Sequence, residues 1–92
     1  MSPRPCKPRK VSNPPLISGL KPYGDKLKMD NVSSIFLYLE EYEAIRLCDY
    51  EIMNHEQAAK MMDVSRPTLT RIYTSARRKI ADALVNGRQI II

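Results

Sequence analysis

Residues 54–79 read Asn-His-Glu-Gln-Ala-Ala-Lys-Met-Met-Asp-Val-Ser-Arg-Pro-Thr-Leu-Thr-Arg-Ile-Tyr-Thr-Ser-Ala-Arg-Arg-Lys, and this stretch decides the fold. It divides into a short helix, a tight turn and a longer basic helix, the plan in which a second helix enters a DNA major groove. Asn54 is a good N-cap, with Gln57 three residues on where a capping-box partner belongs. Ala58, Ala59 and Met62 give the first helix a small apolar side that admits a close neighbour. Asp63 falls where the turn needs a left-handed residue, a role glycine fills most cheaply and Asp or Asn next. Val64 plugs the space between the helices. Ser65 caps the second helix, and Pro67 sits in its first turn, where a missing N–H costs little.

The second helix carries Leu69, Ile72, Tyr73, Ala76, Ile80, Ala83 and Leu84 at spacings that form one face of a 3.6-residue period. Arg66, Thr68, Thr70, Arg71, Thr74, Ser75, Arg77, Arg78 and Lys79 fill the other positions, without an acid among them. An isolated Lys/Arg run is commonly no more than a solvated face. Here the turn, both caps and the basic helix coincide, and that favours DNA.

The chain of 92 residues forms one small folded domain at most, with a modest core that a dimer would help to complete. Its charge is segregated. Residues 1–28 hold seven Lys/Arg and one acid, residues 29–65 hold two and eight, and residues 66–92 hold six and one. Two basic ends around an acidic middle suit a polyanionic partner. Two scattered cysteines, Cys6 and Cys48, make no disulfide framework, and no apolar run resembles a signal peptide or a membrane span. The expected location is the cytoplasm.

Six of the seven prolines fall within residues 1–28. Residues 1–31 therefore read as an extended basic arm, either a solubilising tail or a minor-groove and phosphate-tracking arm that uses Arg4, Arg9 and Lys7. Asn13-Pro14-Pro15 and residues 21–25 read as turns, with Leu16, Ile17, Leu20 and Tyr23 packing loosely on the folded part. Residues 32–92 form the folded domain. Ile35 to Leu39 is a β-branched and aromatic run that predicts a strand. Gln89 to Ile92, after an Asn86-Gly87 helix stop, is the other strand-like segment, and the two are expected to pair within a chain or across a dimer. Between them, residues 40–49 predict a helix with Tyr42, Ile45 and Cys48 in one stripe, widened by Ala44 and Leu47. Glu40, Glu41 and Glu43 in its first turn complement the helix dipole rather than form a catalytic or metal cluster. Arg46 is placed to pair with one of them or to touch a phosphate. The fold class is mainly α: a helix-turn-helix three-helix core, a short strand pair (residues 35–39 with 89–92) and an extended N-terminal arm.

Glu41-Tyr42-Glu43-Ala44-Ile45-Arg46-Leu47, Glu56-Gln57-Ala58-Ala59, Val64-Ser65-Arg66 and Ser75-Ala76-Arg77-Arg78-Lys79 resemble a family of small prokaryotic proteins, domain of unknown function 134. The Pro-Arg-Pro opening is similar too, and the resemblance is strongest over residues 37–85. It implies DNA binding through a helix-turn-helix like region four of sigma factors, and no enzymatic activity. Carried onto this chain, it places Ser65 at a cap near a phosphate, Arg66, Pro67, Thr70 and Arg71 toward base edges, and Thr68 and Thr74 beside the backbone. Asp63 stands where such proteins usually have glycine. Pro67 stands where glycine or a polar residue is more typical, so its contact would be apolar, for example to a thymine methyl.

The resulting expectation is a sequence-specific DNA-binding protein, a transcriptional regulator, acting on double-stranded DNA as a homodimer. Its DNA-binding residues are Ser65, Arg66, Pro67, Thr68, Thr70, Arg71, Thr74, Arg77, Arg78 and Lys79, with Arg4 and Arg9 in the arm. The alternative is a protein-interaction module that contacts RNA polymerase or another regulator without reading sequence. RNA is a weaker fit, because the basic helix lacks stacking aromatics. No catalytic residue, cofactor or metal site is expected: the lone histidine, His55, reads as a surface residue, and Cys48 as a small core residue.

Overall fold

A computed structural model describes residues 13–27 and 33–92. The expectations for Arg4, Lys7 and Arg9 lie outside those residues. The described elements run β1 (Gly19–Leu20), β2 (Ile35–Phe36), α1 (Leu39–Ile45), a π-helical turn (Arg46–Tyr50), α2 (His55–Met62), α3 (Arg66–Asn86) and β3 (Ile90–Ile91).

β3 is the central strand. It pairs parallel with β2, Ile35 opposite Ile90, and antiparallel with β1, Leu20 opposite Ile90. The whole helical unit is thus inserted between two neighbouring strands, so the small sheet ties its two ends together. The expected pairing of residues 35–39 with 89–92 is made within one chain but is shorter. The Ile35 N–H donates to the Gln89 carbonyl and the Leu37 N–H to the Ile91 carbonyl, both at 2.8 Å. Leu39 already belongs to α1. β1 was not expected: it comes from the proline-rich stretch read as part of the arm. Gly19 lets it in, since a Cβ there would collide with the Ile90 carbonyl oxygen.

The helical unit begins with α1. Its N3 residue, Glu41, accepts from the Tyr38 N–H at 2.9 Å, and Ala44 packs fully inside. Instead of continuing as an α-helix to Asp49, the chain widens into the π-helical turn, where the Glu51 N–H reaches the Arg46 carbonyl at 2.9 Å. It leaves through Ile52 at φ 59°, a left-handed conformation that β-branched residues rarely adopt. α2 starts as expected. The Asn54 side chain accepts from the Gln57 N–H at 2.8 Å, and the Gln57 side chain accepts from the Asn54 N–H at 3.0 Å. Asp63 ends α2 at φ 59° and ψ 46°, the left-handed turn that its short polar side chain tolerates. The Ser65 side chain then caps α3, accepting from the Thr68 N–H at 3.3 Å.

The core has two parts that meet along α3. One joins Ala44, Leu47, Ala58, Ala59, Met62, Leu69 and Ile72. The other joins Ile35, Leu37, Ala76, Ala83 and Ile90 beneath the sheet. In the first part, Ala44, Ala58 and Ala59 pack around Met62 and Leu69, which are fully buried. Of the apolar stripe expected along α3, Leu84 is the exception: it is 79% exposed. Leu16 and Tyr23 are likewise open to solvent, and Ile17 and Leu20 are about half open, so these four side chains cover little of the core.

Candidate nucleic-acid interface

On α3 the residues at spacings of four, three and four share one side. Pro67, Arg71, Thr74 and Arg78 are all exposed there, and the side packs against neither α1 nor α2. Arg66 and Arg77 are exposed as well. Arg66 and Arg78 form no ion pair with any other described residue. The Arg71 guanidinium donates to the Thr68 hydroxyl at 3.3 Å, and the Ser65 hydroxyl donates to the same oxygen at 2.9 Å. A cap, a threonine and an arginine are thereby joined at the N-terminus of α3, the end whose unpaired N–H groups favour an anion.

The α2 side of α3 carries a second, unexpected set of contacts. His55 Nδ1 and the Thr70 hydroxyl are 2.9 Å apart, and the His55 ring meets the edge of Tyr73 at 5.1 Å between centroids. The Tyr73 hydroxyl donates to Asp49 at 2.6 Å. This bond, helped by burial, raises the Tyr73 pKa, because the neutral phenol is the donor. Arg77 lies 5.4 Å from the Tyr73 ring centroid, with its Nε 3.8 Å from Asp49. His55 is therefore half-buried against α3 and not simply a surface residue, and Thr70 is held to it rather than turned outward. One signal was legible: Tyr73 lies on an apolar stripe, and a half-buried tyrosine hydroxyl needs a partner. The partner comes from the π-helical turn, which no local pattern marks.

The α1 side of α3 is a fold contact. Lys79 Nζ donates to Glu41 and to the Phe36 carbonyl, both at 2.7 Å, and sits 4.1 Å from the Tyr38 ring centroid. Ser75 donates to the other Glu41 oxygen at 2.6 Å. Burial pushes the Glu41 carboxyl up, but the bonds from Lys79, Ser75 and the Tyr38 N–H outweigh it and hold it below the ordinary value. Lys79, expected on the DNA side, thus anchors α3 to α1 and β2. Glu43, fully buried, accepts a bidentate pair of 2.9 Å bonds from Arg46, which also reaches Glu51 at 3.0 Å. That answers the question left at Arg46: it pairs with the acids Glu43 and Glu51. Of the three glutamates expected in the first turn, Glu40 and Glu41 lie there while Glu43 falls beyond it, because α1 begins at Leu39; Glu41 and Glu43 do more than offset a dipole, since both are buried and bound.

Burial pushes the Cys48 thiol up, with Asp49 adding to the shift, so it packs as a neutral small side chain. Among the described residues no three His, Cys, Asp or Glu side chains converge as a metal site. No described helix is long and apolar enough to cross a membrane.

A family model described as "Protein of unknown function DUF134" matches residues 1–92. The chain belongs to the DUF134 family. Its similarity to individual DUF134 relatives is close. A UPF0251 protein of Caldanaerobacter subterraneus subsp. tengcongensis is 53% identical over 96% of this chain and 73% of its own length. Another, of Pelotomaculum thermopropionicum, is 49% identical over 98% of this chain and 67% of its own. A third, of Chloroherpeton thalassium, is 42% identical over 98% of this chain and 58% of its own. No solved structure matches.

Proposed function

We propose that the chain binds duplex DNA in a sequence-dependent way and serves as a transcriptional regulator, with the N-terminal half of α3 in the major groove. The observation that carries the reading is the exposed Pro67, Arg71, Thr74 and Arg78 side of α3, flanked by Arg66 and Arg77, on a helix whose first sixteen residues lack an acid. A helix presents this side at a width a major groove accepts, and the sigma-like pattern expected from the sequence runs along it. Arg78 and Arg77 would lie along phosphates. Arg71, at the capped end, is placed to bond a guanine through O6 and N7 together, with Arg66 beside it. Ser65, already a cap, would meet a phosphate with the unpaired N–H groups of the first turn. Thr70 and Lys79 act from behind, the first by fixing α3 against α2 and the second by fixing it against α1. No catalytic step is part of this reading.

Phosphate neutralisation makes such binding steeply salt-dependent. Fluorescence anisotropy with a labelled duplex across a salt series tests it. A linear fall of log affinity with log salt is expected, with a slope reduced by about one in Arg78→Ala. A flat salt response, or an unchanged slope in that variant, overturns the placement of α3 on DNA. The exposed carboxylates of Glu51, Glu56 and Asp63, on and beside α2, support a second reading in which a basic protein such as a polymerase element docks there. A partner retained after nuclease treatment would favour it.

A further inference from the structure

Asp49 stands on the π-helical turn (Arg46–Tyr50), outside α3, yet both of its carboxylate oxygens meet side chains of that helix. One accepts from the Tyr73 hydroxyl at 2.6 Å, and the other lies 3.8 Å from Arg77 Nε. Arg77 closes the triangle, its guanidinium carbon 5.4 Å from the Tyr73 ring centroid. Among the described residues, Arg77 alone of Arg66, Arg71, Arg77 and Arg78 forms an ion pair. The pair is open to solvent, with the Arg77 side chain 64% and the Asp49 side chain 39% exposed, so a competing anion can reach the guanidinium. The carboxylate does not follow it, because Tyr73 holds the other oxygen. Tyr73 is itself fixed: its ring meets His55 edge-on and packs against the core of Leu47, Met62 and Leu69. The bond to Asp49 pushes the Tyr73 phenol up, with burial adding, while Arg77 pulls it down, so the tyrosine registers both neighbours.

We propose that Asp49 withholds Arg77 from phosphate, and that a carboxylate on the π-helical turn thereby limits how tightly α3 holds a polyanion. The inference rests on the DNA-binding reading and adds to it a residue that opposes binding. A phosphate that takes Arg77 has to break the pair with Asp49, and then lies near a carboxylate that Tyr73 keeps in place. An exposed ion pair holds its partners by up to about fivefold in an equilibrium constant. Repulsion between two anions within a Debye length of each other adds a factor of about two. Asp49 therefore lowers affinity by about three- to tenfold at about 0.1 M salt. Phosphate contacts carry no sequence information, so the loss falls on every duplex alike. It leaves base contacts made by Arg71 a larger share of the binding energy.

Two measurements on the full chain test this. Without DNA, an NMR titration of ring-labelled tyrosine follows Tyr73. Asp49→Asn keeps an acceptor for the phenol but removes the charge, and is expected to lower the Tyr73 pKa, whereas Arg77→Ala is expected to raise it. With DNA, fluorescence anisotropy on a random-sequence duplex is expected to show Asp49→Asn binding about three- to tenfold tighter than wild type. Its salt slope is expected to steepen by up to about one as Arg77 joins the phosphates. The gain is expected to vanish when Arg77→Ala is added, since it acts through that side chain. A damaged fold produces no such gain. Equal or weaker binding by Asp49→Asn overturns the proposal and leaves the DNA-binding reading standing. A gain that persists in the double variant overturns it too, as does a Tyr73 titration indifferent to both single variants. If neither wild type nor Asp49→Asn binds any duplex, the DNA-binding reading fails and the withholding of Arg77 fails with it.

Discussion

Replacing Lys79 by methionine should destabilise the fold far more than a surface lysine ordinarily does, and the cause is Glu41. The methionine keeps most of the aliphatic stem but removes two 2.7 Å bonds, to Glu41 and to the Phe36 carbonyl, together with the charge over Tyr38. The Glu41 side chain is only 5% exposed, so the change strands a carboxylate. Breaking a buried ion pair from one side costs about 3–5 kcal/mol. Here the lysine is 27% exposed, and Glu41 keeps its bonds from Ser75 and the Tyr38 N–H, which brings the loss down to about 2 kcal/mol. For a domain of this size that is a fall in Tm of roughly 8–16 °C. The pH dependence carries the sign. The Glu41 pKa is lowered in the folded protein, so its contribution is present above the ordinary glutamate value and is lost as pH falls through the lowered one. In Lys79→Met the strongest lowering bond is gone, burial dominates, and protonation relieves the stranded charge. Thermal melts by circular dichroism should therefore show a deficit that is largest near neutral pH and narrows on acidification. A melt within a degree or two of wild type, or a deficit that does not change with pH, refutes the anchoring role.

Other expectations concern single residues. Arg71→Ala should cost about 1–3 kcal/mol of binding and relax preference at one base pair, whereas Arg78→Ala should weaken all duplexes alike; equal losses on selected and random DNA for Arg71→Ala would remove its base-reading role. Ile52→Asn should raise Tm by several degrees. It relieves about 1 kcal/mol of left-handed strain at a residue 77% exposed, and a lower Tm would mean that Ile52 makes contacts worth more than that strain. Gly19→Ala should detach β1 from β3, read as faster amide exchange at Ile92, whose N–H donates to the Ser18 carbonyl. Unchanged exchange would mean that β1 shifts to accept the methyl group.

The two helices α2 and α3 and the turn between them were legible because each of their boundaries is set by one residue's chemistry. Asn54 and Ser65 are caps, Asp63 tolerates the left-handed turn, and Leu69, Ile72 and Ala76 keep the helical period. The parts that escaped depend on contacts between distant segments. The π-helical turn follows from how Leu47 and Met53 seat beneath α2, and Ile52 takes a conformation its own side chain disfavours. Gly19–Leu20 forms a strand only because β3 offers an open edge and glycine permits the approach. In the candidate site, periodicity separated the polar positions of α3, Arg71, Thr74 and Arg78 among them, from its apolar stripe. It could not separate Lys79 and Thr70 from that set. What distinguishes those two is Glu41 and His55, which lie 38 and 15 residues away. Leu84 keeps the apolar period, yet is exposed.

The central claim is that the Arg71 side of α3 reads DNA sequence. Selection of duplexes from a randomised pool at moderate salt, with sequencing of the bound fraction, tests it most directly. The predicted result is an enriched motif in two half-sites about ten base pairs apart, with one position relaxed by Arg71→Ala. Binding without enrichment would contradict base reading by α3, and absence of binding would contradict its role on DNA altogether.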